Sequence, residues 1–395
     1  MVTAEGDARS GIICPASARE TRQLSGASPQ VCTDHQGADP QKSVARPSML
    51  RLPAPRGVLS EFVFDHLRRP PQRLPDPAWP PVEGADDEDL QLALYCLYEL
   101  HYRGFEGVSD EWEWHASLLA FRSILEAEFL DRVIALVGPP NPVRDVEDDL
   151  NTLVHAGDGP SLSKYMAERG TLREFREFAI HRSAYQLKEA DPHSWVIPRL
   201  HGEPKAALIE IQADEYGGGR FEDMHATLFG VTMRCLGLDS SYGCYLDEIP
   251  AVTLATVNLI SFFGLHRRWR GALVGHLAVF EMSSVVPNSR YSLALHRLGV
   301  DPRAADFYDV HVEADAVHEV IACQRLAGGF AALEPERAGD VLFGARSIMA
   351  LEQAFTLHLL DSWSDGRTSL YRPHDKLSVL TGGRALSVED ARRSA

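Results

Sequence analysis

The chain has 395 residues, of which 45% are hydrophobic and 24% charged, and its 39 Lys+Arg against 56 Asp+Glu give a net charge of −17. This is the make-up of an ordinary globular protein with enough apolar residues for one large core or two domains. The acidic balance, with no local basic stripe, argues against nucleic acid or an anionic membrane surface as partner.

Residues 1–85 hold 12 of the 24 prolines and show no sustained apolar period, so they read as a mostly disordered arm with one short helix at Leu59 to Leu67. At Asp86 the texture changes. DDEDLQLALYCLYEL has an acidic start that suits a helix N-terminus, followed by leucines spaced for a helix buried on more than one side. WEWHASLLAFRSILEAEFLDRVIALVG predicts a second helix that stops at Gly138-Pro139-Pro140. Further helices are predicted at Ser161 to Ala190, Ala206 to Tyr216, Phe221 to Leu236, Ile249 to Gly264, Leu273 to Ser284, Arg290 to Leu298, Ala304 to Leu326 and Glu334 to Asp361. No alternating strand pattern bounded by hairpin turns is present. The expected fold is an all-α, multi-helix bundle spanning residues 86–380, with a solvated, flexible tail over 381–395.

Ile249 to Leu265 is uncharged for 17 residues, short of the ~20 apolar residues a membrane span needs, and it contains Pro250, Asn258 and Ser261, so a buried core helix is expected. The six cysteines (Cys14, Cys32, Cys96, Cys235, Cys244, Cys323) form no CxxC pairs, and the N-terminus lacks a signal peptide's basic and apolar regions. A reduced, cytoplasmic protein is expected. Cys235 and Cys323 lie in apolar helical contexts, which suits inert small hydrophobes rather than nucleophiles.

The strongest local signal is His311-Val-Glu-Ala-Asp315-Ala-Val-His318. Steps of four and seven at roughly 100° per residue return to one helix face, so two imidazoles and a carboxylate project side by side, a set suited to iron or manganese. His225 and Glu281 both sit in apolar helical sequence, where a polar group needs a partner, a proton or a metal. Glu215 follows another apolar run.

These residues resemble the haem-oxygenase-like di-iron oxidases and oxygenases, or iron-containing redox enzymes, over roughly residues 90 to 370. The likeness is carried by YQLKEADPHSWVIPRL (185–200), EIQADEYGGGRFEDMHATLF (210–229) and HVEADAVHEV (311–320). It implies a haem-oxygenase-like bundle with two Fe ions held by Glu215, His225, Glu281, His311, Asp315 and His318, with dioxygen as co-substrate. It also implies that Glu189 adds a further carboxylate in members that oxygenate amine or guanidine nitrogen. Four carboxylates would balance two ferrous ions in a poorly solvated interior.

Glu215 and His225 are ten residues apart, about 80° around an unbroken helix, so Gly217-Gly218-Gly219 must interrupt it for both to converge. Glu222 is the rival ligand. His193 competes with Glu189, and His276 is expected in the core or behind the ligands. Tyr185, Tyr216 and Trp195 are candidate pocket residues, and Arg182 and Arg199 are candidate partners for a substrate carboxylate. Lys188 and Arg199 equally fit a solvated surface, and Glu352 and His358 stay outside the expected metal set.

The function expected is oxygenation of a small molecule, with N-oxygenation of an amine or amino acid ahead of alkene formation by C–H or C–C cleavage. A non-catalytic helical metal carrier or partner-binding scaffold is the reading from another class. An external electron donor and a homodimeric state are both open on this sequence.

Overall fold

The structure is a computed structural model that describes residues 50–75, 79–156 and 159–371. The expected arm before residue 50 and the expected tail at 381–395 lie outside the described residues. Among the described residues no strand forms, and no helix is long and apolar enough to cross a membrane.

In chain order the helices are α1 (Val58–Leu67), α2 (Asp87–Glu99), α3 (Ala116–Val137), α4 (Val146–His155), α5 (Leu162–Glu168), α6 (Leu172–Gln186), α7 (Asp191–Ser194) and α8 (Gly202–Glu215). They continue with α9 (His225–Cys235), α10 (Ala251–Leu265), α11 (Arg270–Ser283), α12 (Val285–Leu298), α13 (Asp306–Val320), α14 (Gly329–Leu333) and α15 (Ala338–Ser364). A π-helical stretch, Ile321–Gly328, directly continues α13. The all-α bundle expected from the sequence is borne out.

Residues 50–85 correct the expectation of a mostly disordered arm, because the described part of this segment is packed. Leu50, Leu59, Val63, Phe64, Leu67, Leu74 and Val82 are buried in the core. The anchor is long-range: the buried carboxylate of Asp89, on α2, accepts from the backbone N–H groups of Leu59 and Ser60 at 2.8 Å each, capping α1. A composition rich in proline conceals such tethers, since their partners lie elsewhere in the chain.

The predicted helix from Ser161 to Ala190 is two helices. Thr171 and Glu174 form a reciprocal capping box that starts α6 afresh after Gly170. α6 then ends at Gln186, and Asp191-Pro192 opens α7 instead of terminating a longer helix. The uncharged stretch near 249–265 is the buried core helix expected, and its Asn258 amide donates to the backbone and side-chain oxygens of Gln91 on α2, 2.9 Å each.

Two apolar clusters organise the bundle. One joins α1, α2, α3, α4, α8, α10, α11 and the first half of α15; the other joins α5, α6, α9, α12, the start of α13 and the second half of α15. α11 and α15 approach closely because glycines face backbone: a Cβ on Gly275 would stand 1.9 Å from Val341 O, and one on Gly344 1.9 Å from Ala272 O. The candidate site lies where the clusters meet, with α8 and α11 from the first and α9 and α13 from the second.

Candidate metal centre

Glu215 is the last residue of α8 and His225 the first of α9. Gly217, Gly218 and Gly219 between them all have positive φ (62°, 60° and 84°), the left-handed backbone that glycine adopts without steric cost. At Gly217 a Cβ would also lie 2.5 Å from the Asp223 carbonyl carbon. The reversal folds the ten-residue spacing back on itself and brings His225 Nδ1 to 3.0 Å from Glu215 Oε2. Glu222, the rival ligand, is exposed on a 3-10 turn and takes no part.

α13 presents His311, Asp315 and His318 on one buried face, at 7%, 2% and 2% exposure. His311 Nδ1 donates to Phe307 O at 2.7 Å, one turn back, which leaves its Nε2 facing Glu189 Oε1 at 3.8 Å. Its ring lies 4.3 Å from that of His225 between centroids. Glu281, near the C-terminal end of α11, places Oε2 at 3.3 Å from His318 Nδ1. Asp315 Oδ1 is 3.6 Å from the same nitrogen, and its other oxygen accepts from Ser284 Oγ.

The donors form two groups, each with its candidate ligand atoms mutually within 4.8 Å: Glu189, Glu215, His225 and His311 in one, and Glu215, Glu281 and His318 in the other. Glu215 belongs to both, and Asp315 flanks the second. Of the seven expected ligands, six fall in the two groups and the seventh touches them.

The residues fit a metal. Glu189 Oε2, Glu215 Oε2, His225 Nδ1 and His318 Nδ1 are buried without a hydrogen bond, although several stand at ion-pair distance. Buried polar atoms are ordinarily satisfied, and four orphans converging in one place need a common partner. Carboxylate oxygens and imidazole nitrogens without thiolate suit non-haem iron or manganese.

Electrostatics agree. Burial, reinforced by Asp315 and Glu215, pushes Glu281 up to about 8 against the hydrogen bond from His318. Burial likewise raises Glu189. Glu215 is buried too, but the imidazoles of His225, His311 and His318 pull it down to about 2. Burial opposes charging of the histidines, yet Glu189, Glu215 and Asp315 raise His311 to about 10, and Asp315, Glu281 and Asp214 raise His318 to about 11. Without metal the cluster therefore holds protons that a divalent cation would displace.

One participant was missed. Asp214 Oδ2 accepts from His318 Nε2 at 3.0 Å, fixing the tautomer that turns Nδ1 toward Glu281. Its carboxylate is 61% exposed, and nothing in the sequence separates it from the other surface acids.

Tyr185 lines a cavity of about 390 Å³ beside the cluster, together with Arg182, Gln186, Phe280, Tyr308 and Glu352. The other candidates for substrate contact divide between the cavity wall and places away from it. Arg199 donates to the carbonyls of Gly264 and Leu265 at the end of α10, and the Tyr216 hydroxyl donates to Asp191 at 2.8 Å; neither lines the cavity. Trp195 packs near Tyr102 and Gly264, also off the cavity lining. Arg182 does line it, held in a two-pronged pair with Glu352 at 2.7 and 2.6 Å. His193 lines it as well, but its Nε2 is 3.2 Å from Nδ1 of the wholly buried His276, so this histidine pair stands beside the ligand set. Lys188 is fully buried against Glu99 and is not a surface residue.

An all-α bundle enclosing a buried carboxylate and imidazole cluster has the donor set of a metal centre. Residues 176–353 match the model of a family described as iron-containing redox enzyme, and they include every residue of the two groups, so the resemblance read from the sequence is borne out over this segment. The chain is 24% identical over 179 residues to nitrosourea synthase of Streptomyces achromogenes subsp. streptozoticus. That match covers 45% of this chain and 38% of the relative, so the chain spans well under two thirds of the relative's length.

Proposed function

We propose that the chain is a di-iron oxygenase acting on a small amine or amino acid, with oxygen transferred to nitrogen. The observation that carries this reading is Glu215, shared by two buried carboxylate and histidine groups, which is the arrangement a bridged pair of ions requires. Bound iron would supply dioxygen activation. The chain's own residues would hold it: Glu215, common to both groups, would be shared by the two ions, Glu189 with His225 and His311 would hold one, and Glu281, His318 and Asp315 would hold the other.

Glu189 favours nitrogen chemistry over alkene formation. Its carboxylate is only 11% exposed and stands in the cluster instead of in solvent, which is the placement the sequence resemblance links to nitrogen-oxygenating members. The cavity is of small-molecule size, and the Arg182 and Glu352 pair on its wall offers opposite charges to a substrate bearing both. Tyr185, buried beside three carboxylates, keeps its phenol protonated and available as a donor.

The test is to load the metal-free protein with two equivalents of ferrous iron and follow oxygen uptake on an electrode, with amines, guanidines and amino acids screened by mass spectrometry for gain of one oxygen atom. Iron-dependent uptake that Glu281→Ala and His311→Ala abolish is expected. Metal binding without any oxygen consumption would leave the metal-carrier reading instead.

A further inference from the structure

Glu189 differs from the other cluster residues in how the chain delivers it. It stands on a four-residue turn, 187–190, between α6 and α7, where no continuous helical ladder holds it. The next residue, Ala190, has φ 72°, a left-handed conformation that a residue with a Cβ keeps only when its surroundings dictate it. Those surroundings are on the structure. Arg103 Nη2 donates to Leu187 O at 3.1 Å, and Gln212 Nε2 donates to Ala190 O at 3.0 Å.

The firmest tie is Lys188 itself. Its side chain is 1% exposed, and Nζ donates to Glu99 Oε2 at 2.9 Å. The same oxygen accepts from Tyr242 at 2.7 Å, and the ammonium lies 4.4 and 4.8 Å from the ring centroids of Tyr102 and Tyr95. A buried lysine is rare, and a buried ion pair gives no more stability than well-packed apolar side chains of the same volume. What it adds is direction: a charge-assisted hydrogen bond fixes the chain at one point relative to α2.

We infer that the buried Lys188 and Glu99 pair is a positioning device, which pins the 187–190 turn to the end of α2 and so aims the Glu189 carboxylate at the metal cluster. The inference rests on the metal reading above. Lys188 touches no candidate ligand atom and acts only through the neighbouring residue. Removing one partner alone would leave a buried charge uncompensated and threaten the fold, so the informative variant neutralises both at near-constant volume, Lys188→Met with Glu99→Gln.

The experiment titrates metal-free full-length protein with Co(II), following visible d–d absorption and stoichiometry by equilibrium dialysis, with a thermal melt of each variant. Wild type is expected to take up two equivalents. The double variant should melt within a few degrees of wild type, yet bind one of the two ions about 10- to 100-fold more weakly, with an altered spectrum. Glu189→Ala should show the same selective loss. Adding Lys188→Met and Glu99→Gln to Glu189→Ala should then change affinity no further, because the clamp would have nothing left to aim. Unchanged Co(II) affinity in the double variant, an additive loss in the Glu189→Ala background, or equal weakening of both ions alongside a collapsed melt would each overturn the inference. Wild type that takes up no Co(II) would overturn the metal reading and this device together.

Discussion

Gly275→Ala tests whether the contact between α11 and α15 sets the position of the cluster. The added Cβ would stand 1.9 Å from Val341 O and 2.7 Å from Val341 C, both backbone atoms of a buried helix that no rotamer change can move. Ordinary contact begins near 3.4 Å, so the helices must part by roughly 1.5 Å. A gap of 0.5–1 Å already forfeits a quarter to a half of the dispersion well, and the loss falls on Ala272, Leu273, Val341, Ala345 and Ile348, all buried there. The expected cost is at the upper end for overpacking, about 3 kcal/mol, or a fall in Tm of about 4–5 °C for a domain of this size. Glu281 lies six residues further along α11, and a shift of this size exceeds the ~0.5 Å tolerance of a preorganised site, so metal affinity should fall as well. Gly230→Ala in α9 is the control. Its nearest neighbour, at 3.4 Å, is the flexible end of Arg234, and helix propensity should stabilise the variant by about 0.5–1 kcal/mol. Calorimetric melts with Mn(II) or Co(II) titration of both variants decide the matter. If Gly275→Ala melts with wild type and binds metal equally well, the close approach does not govern the site.

Asp214→Asn should weaken metal binding by about 10- to 100-fold while leaving the melt nearly unchanged, since the side chain is mostly solvated and acts by holding His318 Nε2–H; equal affinity would show that His318 orients itself. His181 is wholly buried between Thr253 Oγ1 at 2.7 Å and Ser369 Oγ at 3.0 Å, and burial, helped by His358 and Arg182, holds its pKa well below the usual imidazole value. A neutral buried histidine contributes fully above the unfolded value of about 6.5, and its contribution fades as pH falls because only the unfolded chain takes up the proton. Below that pH His181→Asn should therefore lose stability less steeply than wild type, by about 1.4 kcal/mol per pH unit, in urea melts between pH 7 and 5. Parallel slopes for the two proteins would contradict it.

The sequence by itself determined the helical class and the half of the cluster that needs no tertiary knowledge. His311, Asp315 and His318 were legible because one helix turns steps of four and seven into neighbours, and Glu281 because a lone carboxylate in an apolar helix demands a partner. The joining of Glu215 to His225 was half legible: the three glycines announced a break, but only the folded turn showed that Glu215 ends α8 and His225 begins α9. Tertiary structure alone decided the rest. It buried Lys188 against Glu99, set the exposed Asp214 behind His318, sent Arg199 to the end of α10 and Tyr216 to Asp191, and tethered the start of α1 to Asp89. Each of these hangs on partners far away in the chain, and local composition and helical period carry no information about which distant side chain a charge will meet.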